Sequence, residues 1–151
     1  MRIAVGSDHA GFGLKSRVAE LLAADGHEVL DVGADSEEST DYPVHAERAA
    51  RVVADGDAQL GVLVCGSGAG VSIAANKVPG VRAVNARDPE EAELGRRHND
   101  ANVLALAGRR LHSDDAGDIV RAFLAAGFDG GRHSRRVDQI ADIERRTNGR
   151  G

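Results

Sequence analysis
The single cysteine of the chain, Cys65, closes an apolar run and opens a glycine-rich turn, Cys65-Gly66-Ser67-Gly68-Ala69-Gly70, that leads into a helical pattern over 71–76. At the N-terminus of a helix the dipole lowers a thiol pKa and favours the thiolate. Glycines let the backbone turn tightly and aim its N–H groups at a negative charge placed there. A thiolate beside a nest of N–H donors suits proton transfer next to a carbonyl. Converting an aldose to a ketose needs that combination: a base takes the C2 proton, donors hold the enediolate, and a proton returns to C1. Other glycine-rich signatures fit less well. Gly66, Gly68 and Gly70 are spaced G-x-G-x-G, not the G-x-G-x-x-G of a dinucleotide site. The Gly-Lys-Ser/Thr of a P-loop is absent, and Val71 stands where a Cys-x5-Arg phosphatase loop has its arginine.

Other stretches also carry polar chemistry. Asp8 and His9 follow the first apolar run in Gly6-Ser7-Asp8-His9, His98-Asn99-Asp100 precedes the last, and Gly108-Arg109 follows it. The segment Arg132-His133-Ser134-Arg135-Arg136 sets three guanidiniums and one imidazole within five residues of a chain whose formal net charge is −5. An acidic chain with one basic cluster fits a small anion better than a polyanion, because nucleic-acid binders need a broad basic surface to displace counterions. Each residue taken singly has a second reading. Cys65 can be a buried structural thiol ending a core strand. His9 and His98 can be hydrogen-bonded histidines at element ends. Asp8 can cap a helix starting near Gly11, and the arginines can be a solvated helix start.

These residues need elements to hold them. Apolar runs at 3–5, 29–32, 60–65, 82–85 and 103–107 read as buried parallel strands. Leu14, Val18, Leu21 and Leu22 share one helix face, and the pattern stops at Asp25-Gly26. The polar stretch 33–43 reads as a surface loop before a helix beginning near Pro43. Asp88-Pro89-Glu90-Glu91 supplies an N-cap, a first-turn proline and an acid, for a helix that runs toward Arg97 and delivers His98-Asn99. Ser113-Asp114-Asp115 caps a helix through Phe123 to Ala126. Val137, Ile140 and Ala141 mark the apolar stripe of a last helix ending before Thr147.

Strands alternating with helices imply a doubly wound, Rossmann-like α/β fold: three layers, a five-stranded parallel sheet and a C-terminal helix. We expect one domain over 1–146 and a flexible tail over 147–151. Hydrophobic residues make up 42% of the chain, yet it has only three Phe, one Tyr and no Trp, so the core is built from Ala, Val, Leu and Ile, as such sheets require. One cysteine excludes an internal disulfide framework and a cysteine zinc cage, and fits the reducing cytoplasm. No apolar run reaches about 18 residues and the N-terminal one is too short for a signal peptide, so neither a membrane span nor export is expected.

Taken together, the motifs resemble those of the ribose-5-phosphate isomerase B family, which also contains the galactose-6-phosphate isomerase subunits. The resemblance runs from Ile3 to about Arg146. It rests, in order, on Gly6-Ser7-Asp8-His9-Ala10-Gly11, Thr40-Asp41-Tyr42-Pro43, the Cys65 turn followed by Ile73-Ala74-Ala75-Asn76-Lys77, His98-Asn99-Asp100-Ala101-Asn102-Val103, and Gly130-Gly131-Arg132-His133. It implies an isomerase interconverting ribose 5-phosphate and ribulose 5-phosphate. Cys65 would be the base, and Ser67 with Gly66, Gly68, Ala69 and Gly70 would hold the enediolate. His98 would assist opening of the furanose ring, Asp8 would hold a sugar hydroxyl, and Asn99 would bind substrate. His9, Arg109, Arg132 and Arg136 would hold the phosphate.

The resemblance implies no metal and no organic cofactor. It also implies a homodimer or tetramer in which one subunit completes the site of another. Two positions depart from common family patterns: Ser67 replaces a threonine and keeps its hydroxyl, and Val71 stands where members lacking the cysteine carry a glutamate. This chain is therefore of the cysteine type. The same chemistry on a tetrose 4-phosphate or hexose 6-phosphate would change only the distance from Cys65 to the arginines. A non-catalytic sugar-phosphate sensor would have no use for Cys65, His98 and Asp8 together.

Overall fold
The computed structural model describes residues 1–149. Among them lie β1 (Arg2–Ser7), α1 (Phe12–Ala24), β2 (Glu28–Asp31), α2 (Tyr42–Ala54), β3 (Leu60–Cys65), α3 (Ala69–Ala75), β4 (Ala83–Asn85), α4 (Pro89–Asn99), β5 (Val103–Ala107), α5 (Ser113–Ala125) and α6 (Arg132–Asn148). The five strands form one sheet in the order β2-β1-β3-β5-β4, every neighbouring pair parallel. This is the doubly wound, Rossmann-like α/β sheet expected from the alternating pattern. The chain builds β2 on one side of β1 and β3 on the other, so the topological switch point lies between β1 and β3.

The strands feed two cores. Ile3 and Val5 of β1, Leu60, Val62 and Val64 of β3, and Leu104 and Leu106 of β5 pack beneath α1, α4 and α5, around the fully buried Phe123. Ala4, Leu63, Cys65, Val103 and Ala105 face the other way, against Ala46, Ala49 and Ala50 of α2 and Val71 and Ala75 of α3. Burial on both faces is why the central strands β1, β3 and β5 read as unbroken apolar runs rather than as alternating ones. Alanines on α2 and α3 leave little between helix and sheet, and Cys65 lies on that side.

Several helix boundaries differ from expectation, among them α3, which spans Ala69–Ala75 rather than 71–76. Ser113 is the first residue of α5 rather than its cap; the extended His112 (φ −73°, ψ 153°) takes the capping position with no side-chain hydrogen bond. Asp114 and Asp115 then sit in the first turn, where the positive helix end favours them. The last helix continues through Thr147 to Asn148, because nothing interrupts it until Gly149, whose N–H donates to Arg145 O at 3.0 Å. Residues 150 and 151 of the expected tail lie outside the described residues. The apolar stripe of α6 finds little cover within the chain: Ile140 is 45% and Ile143 55% exposed. No helix among the described residues is long and apolar enough to cross a membrane.

The cap of α4 is as its residues suggest, with Asp88 Oδ1 accepting the Glu91 N–H at 2.8 Å ahead of Pro89. Asp88→Ala should lower stability by about 1 kcal/mol. A urea midpoint that moves at constant slope would show it, and an unmoved midpoint would mean the cap carries no net stabilisation.

Candidate active site
β1, β3 and β5 end level with one another, Ser7 pairing with Val64 and Cys65 with Ala107. The loops beyond them interlock. Gly108 N–H donates to Cys65 O at 2.7 Å, Arg109 N–H donates to Gly66 O at 3.1 Å, and the buried Asp8 closes its turn by accepting the Gly11 N–H at 3.0 Å. Cys65 is 4% exposed, and its Sγ accepts the Gly68 N–H at 3.2 Å.

Only glycine serves at 68: φ is +79°, and a Cβ there would lie 2.5 Å from Asn85 Oδ1. Asn85 Nδ2 donates to Ser67 O at 3.3 Å, and Ser67 Oγ accepts the Ala69 N–H at 3.2 Å. The turn is thus braced from behind and opens on a cavity of about 580 Å³ lined by Tyr42, Cys65, Gly66, Ser67, Gly70, Arg109 and Arg110. Tyr42 presses on the turn so closely that a Cβ on Gly70 would meet its ring at 2.8 Å. His9 belongs to the same edge, its Nδ1 held 3.1 Å from the Thr40 backbone.

His98 and Asn99 end α4, which returns from the C-terminal edge of the sheet to the start of β5. Gly61 pairs with Val103 and Cys65 with Ala107, so four residues of strand, about 13 Å, separate the two edges. Between α4 and β5, Asp100 takes the left-handed conformation at φ +47°, its carboxylate paired with Arg82 at 3.3 Å and Arg96 at 3.2 Å. His98 stacks on His133 with centroids 4.3 Å apart and planes within 9°. Arg97 pairs with Asp129 at 3.1 Å and fastens the segment that enters α6.

Burial, followed by the nearby charges of His98, Arg132 and Arg136, presses the His133 pKa below its ordinary value, which favours the neutral ring. Arg132 and Arg136 are exposed on the first turns of α6. His98, Asp129 and His133 bring possible ligand atoms within 4.8 Å of one another. Parallel rings do not aim their in-plane lone pairs at a common point, however, and Arg97 already engages Asp129.

One chain therefore carries two separate groups. Asp8, His9, Cys65, Gly66, Ser67, Gly68, Ala69, Gly70 and Arg109 gather at the C-terminal edge of the sheet, while His98, Asn99, Arg132 and Arg136 gather at the opposite edge. The structure does not bring Cys65 and His98 together within a protomer. It adds Tyr42 and Arg110 to the first group, Thr40 as the holder of His9, and His133 as the ring against His98. Thr40, Tyr42 and His133 stand inside the motifs above, but local sequence gives no role to Thr40 or Tyr42 and counts His133 only as part of the basic cluster.

Residues 3–140 match a family model described as ribose/galactose isomerase. Ribose-5-phosphate isomerase B of Escherichia coli strain K12 is 48% identical over 147 residues, which cover 97% of this chain and 99% of that protein. Ribose-5-phosphate isomerase B of Clostridium thermocellum has a similar structure, with a TM-score of 0.96, 46% identity and coverage of 97% of this chain and 99% of that one. Type B ribose 5-phosphate isomerase of Trypanosoma brucei superposes with a TM-score of 0.91 at 41% identity, over 94% of this chain and 97% of that one. Sequence and fold agree over nearly the whole length, and the chain belongs to the ribose/galactose isomerase family.

Proposed function
We propose that this protein interconverts ribose 5-phosphate and ribulose 5-phosphate through a cis-enediolate, with Cys65 as the base. The observation that carries the reading is the thiol itself, set at an open cavity with a backbone N–H on its sulfur. His98 assists opening of the furanose ring, and Asn99 and Asp8 hold the sugar. The Cys65 thiolate then takes the C2 proton, and the carbonyl oxygen gains the negative charge. Gly68 and Ala69 already spend their N–H groups on Sγ and Ser67 Oγ, so Gly66, Ser67 and Gly70 are the donors left to hold the enediolate. The Cys65 thiol returns the proton to C1, the C2 hydroxyl proton passes to O1, and the thiolate is regenerated.

The phosphate lies between His9 and Arg109 of one copy and Arg132 and Arg136 of another, where guanidiniums can bond it bidentately. The split between the two sheet edges supports a homodimer, or a tetramer of such dimers, in which each copy completes the other's site. So do the exposed Ile140 and Ile143 on α6 and the 64% exposed Ile73 on α3. We place the enzyme in the cytoplasm, where a thiol base stays reduced.

Reaction in deuterium oxide tests the chemistry. Solvent deuterium at C1 of ribulose 5-phosphate would show proton transfer, since the Cys65 thiol can exchange between taking and returning its proton, and none after many forward and reverse turnovers would contradict it. Arg136→Ala should raise KM by about 10- to 100-fold, the cost of one charged hydrogen bond, and change kcat much less. An unchanged KM would place the phosphate elsewhere.

A further inference from the structure
His45 has no part in the steps above, yet it is one of the few polar side chains buried among the described residues, 8% exposed in the first turn of α2. Its Nε2 lies 3.0 Å from Thr40 Oγ1, while its Nδ1 is enclosed without a hydrogen-bond partner. Burial, with the charge of Arg48 adding to it, holds the His45 pKa below the ordinary histidine value, so the ring is neutral and carries one N–H. An enclosed N–H without an acceptor is costlier than an enclosed lone pair without a donor. The proton therefore belongs on Nε2, donated to Thr40 Oγ1.

Thr40 in turn grips His9. Its backbone N–H is a donor in every state and lies 3.1 Å from His9 Nδ1. Nδ1 must then accept, which puts the proton of neutral His9 on Nε2. The other arrangement, Nδ1–H donating to the Thr40 carbonyl at 3.1 Å, would set the Thr40 N–H against a second N–H across the same distance. The far end of this loop is pinned as well: Ala34 N–H donates to Ser7 O at 2.8 Å, and the buried Lys15 Nζ donates to Ala34 O at 2.6 Å. Among the hydrogen bonds of the described residues, those from the segment between these anchors to His9 come from Thr40, whose hydroxyl in turn meets His45.

We propose that His45 is a positioning residue: by hydrogen-bonding the Thr40 hydroxyl it fixes the Thr40 backbone against His9 Nδ1 and so holds His9 as an Nε2–H donor to the substrate phosphate. This rests on the reading of His9 as a phosphate ligand. The loop that looks like a surface connection in sequence is then the mount of one side of the anion site.

The test uses the full-length protein labelled with 15N-histidine, its His9 signals assigned by their loss in His9→Gln. In the wild type at neutral pH, His9 Nδ1 should resonate as an unprotonated ring nitrogen and Nε2 as a protonated one. In His45→Leu the His9 signals should shift toward a mixture of tautomers. KM for ribose 5-phosphate and Kd for inorganic phosphate should each rise about tenfold, with kcat within about twofold. Thr40→Val, which keeps the backbone N–H and loses the hydroxyl, should behave alike.

His45→Gln, whose amide nitrogen can stand in for Nε2, should restore the wild-type spectrum and most of the affinity, a rescue that a purely packing role would not give. A wild-type proton on Nδ1 overturns the proposal, as does an unchanged His9 spectrum and phosphate affinity in both His45→Leu and Thr40→Val. If His9→Leu leaves phosphate affinity untouched while the nitrogen signals still answer to His45→Leu, His9 is not a phosphate ligand and the proposal falls with that reading. If His9→Leu weakens phosphate binding and the signals do not answer, the reading stands and the proposal alone falls.

Discussion

Cys65→Ala should lower kcat at least about a hundredfold, since a positioned base contributes two to four orders of magnitude and no second thiol can replace it. Its Kd for ribose 5-phosphate should stay within about threefold of wild type, because the substitution removes the base and leaves the phosphate and hydroxyl contacts in place. The fold should tolerate the change: Cys65 ends a strand whose backbone is fixed by pairing with β5, and alanines already surround it on that face. Single-turnover kinetics with parallel calorimetry separate the two effects. Substantial residual turnover would remove Cys65 from the mechanism, and a matching collapse of binding would make it a structural thiol.

Mixing two nearly inactive variants should restore activity. Cys65→Ala damages the group at the C-terminal edge of the sheet and His98→Asn the group at the opposite edge. If sites form between copies, a mixed dimer holds one site with both lesions and one with neither. With equal amounts and random reassociation, half of the dimers are mixed and half of their sites intact, so about one quarter of wild-type activity should return. Two differently tagged variants, unfolded together and refolded, provide the measurement. A mixture no more active than the average of its parents would mean that Cys65 and His98 serve the same chain, against the four residues of strand between the two edges.

Much of this arrangement was legible because local signals and packing agree. The five strands lie within one or two residues of the apolar runs; burial on both faces makes β3 and β5 continuous apolar stretches, and the partly exposed edge strands β2 and β4 keep a short apolar centre. Glycines at 66, 68 and 70 marked the turn, and position 68 requires one by both conformation and space. What was not legible depends on contacts between distant segments. The order β2-β1-β3-β5-β4, which decides which loops are neighbours along each edge, is encoded near no single residue, whereas the placing of Cys65 after β3 and His98 before β5 at opposite edges follows from the strands all running parallel.

Other features escaped for the same reason. Tyr42 reads as an ordinary residue near a helix start until its ring is seen over Gly70. His133 read as part of a basic run and is instead the buried face against His98. The stripe on α6 was visible, but periodicity shows that a face is apolar and not what covers it. Ser113 looked like a cap because serine favours that position, yet the chain enters the helix one residue earlier.

The most direct test of the proposed activity is kcat/KM of the purified wild-type protein, without added metal, for ribose 5-phosphate, allose 6-phosphate, galactose 6-phosphate and erythrose 4-phosphate. Ribose 5-phosphate is predicted to lead by more than about tenfold, the discrimination expected when the reach from base to phosphate site fits one chain length. A higher value for any of the other three would contradict the assigned substrate while leaving the proton transfer intact, and no turnover of any would contradict the enzymatic reading itself.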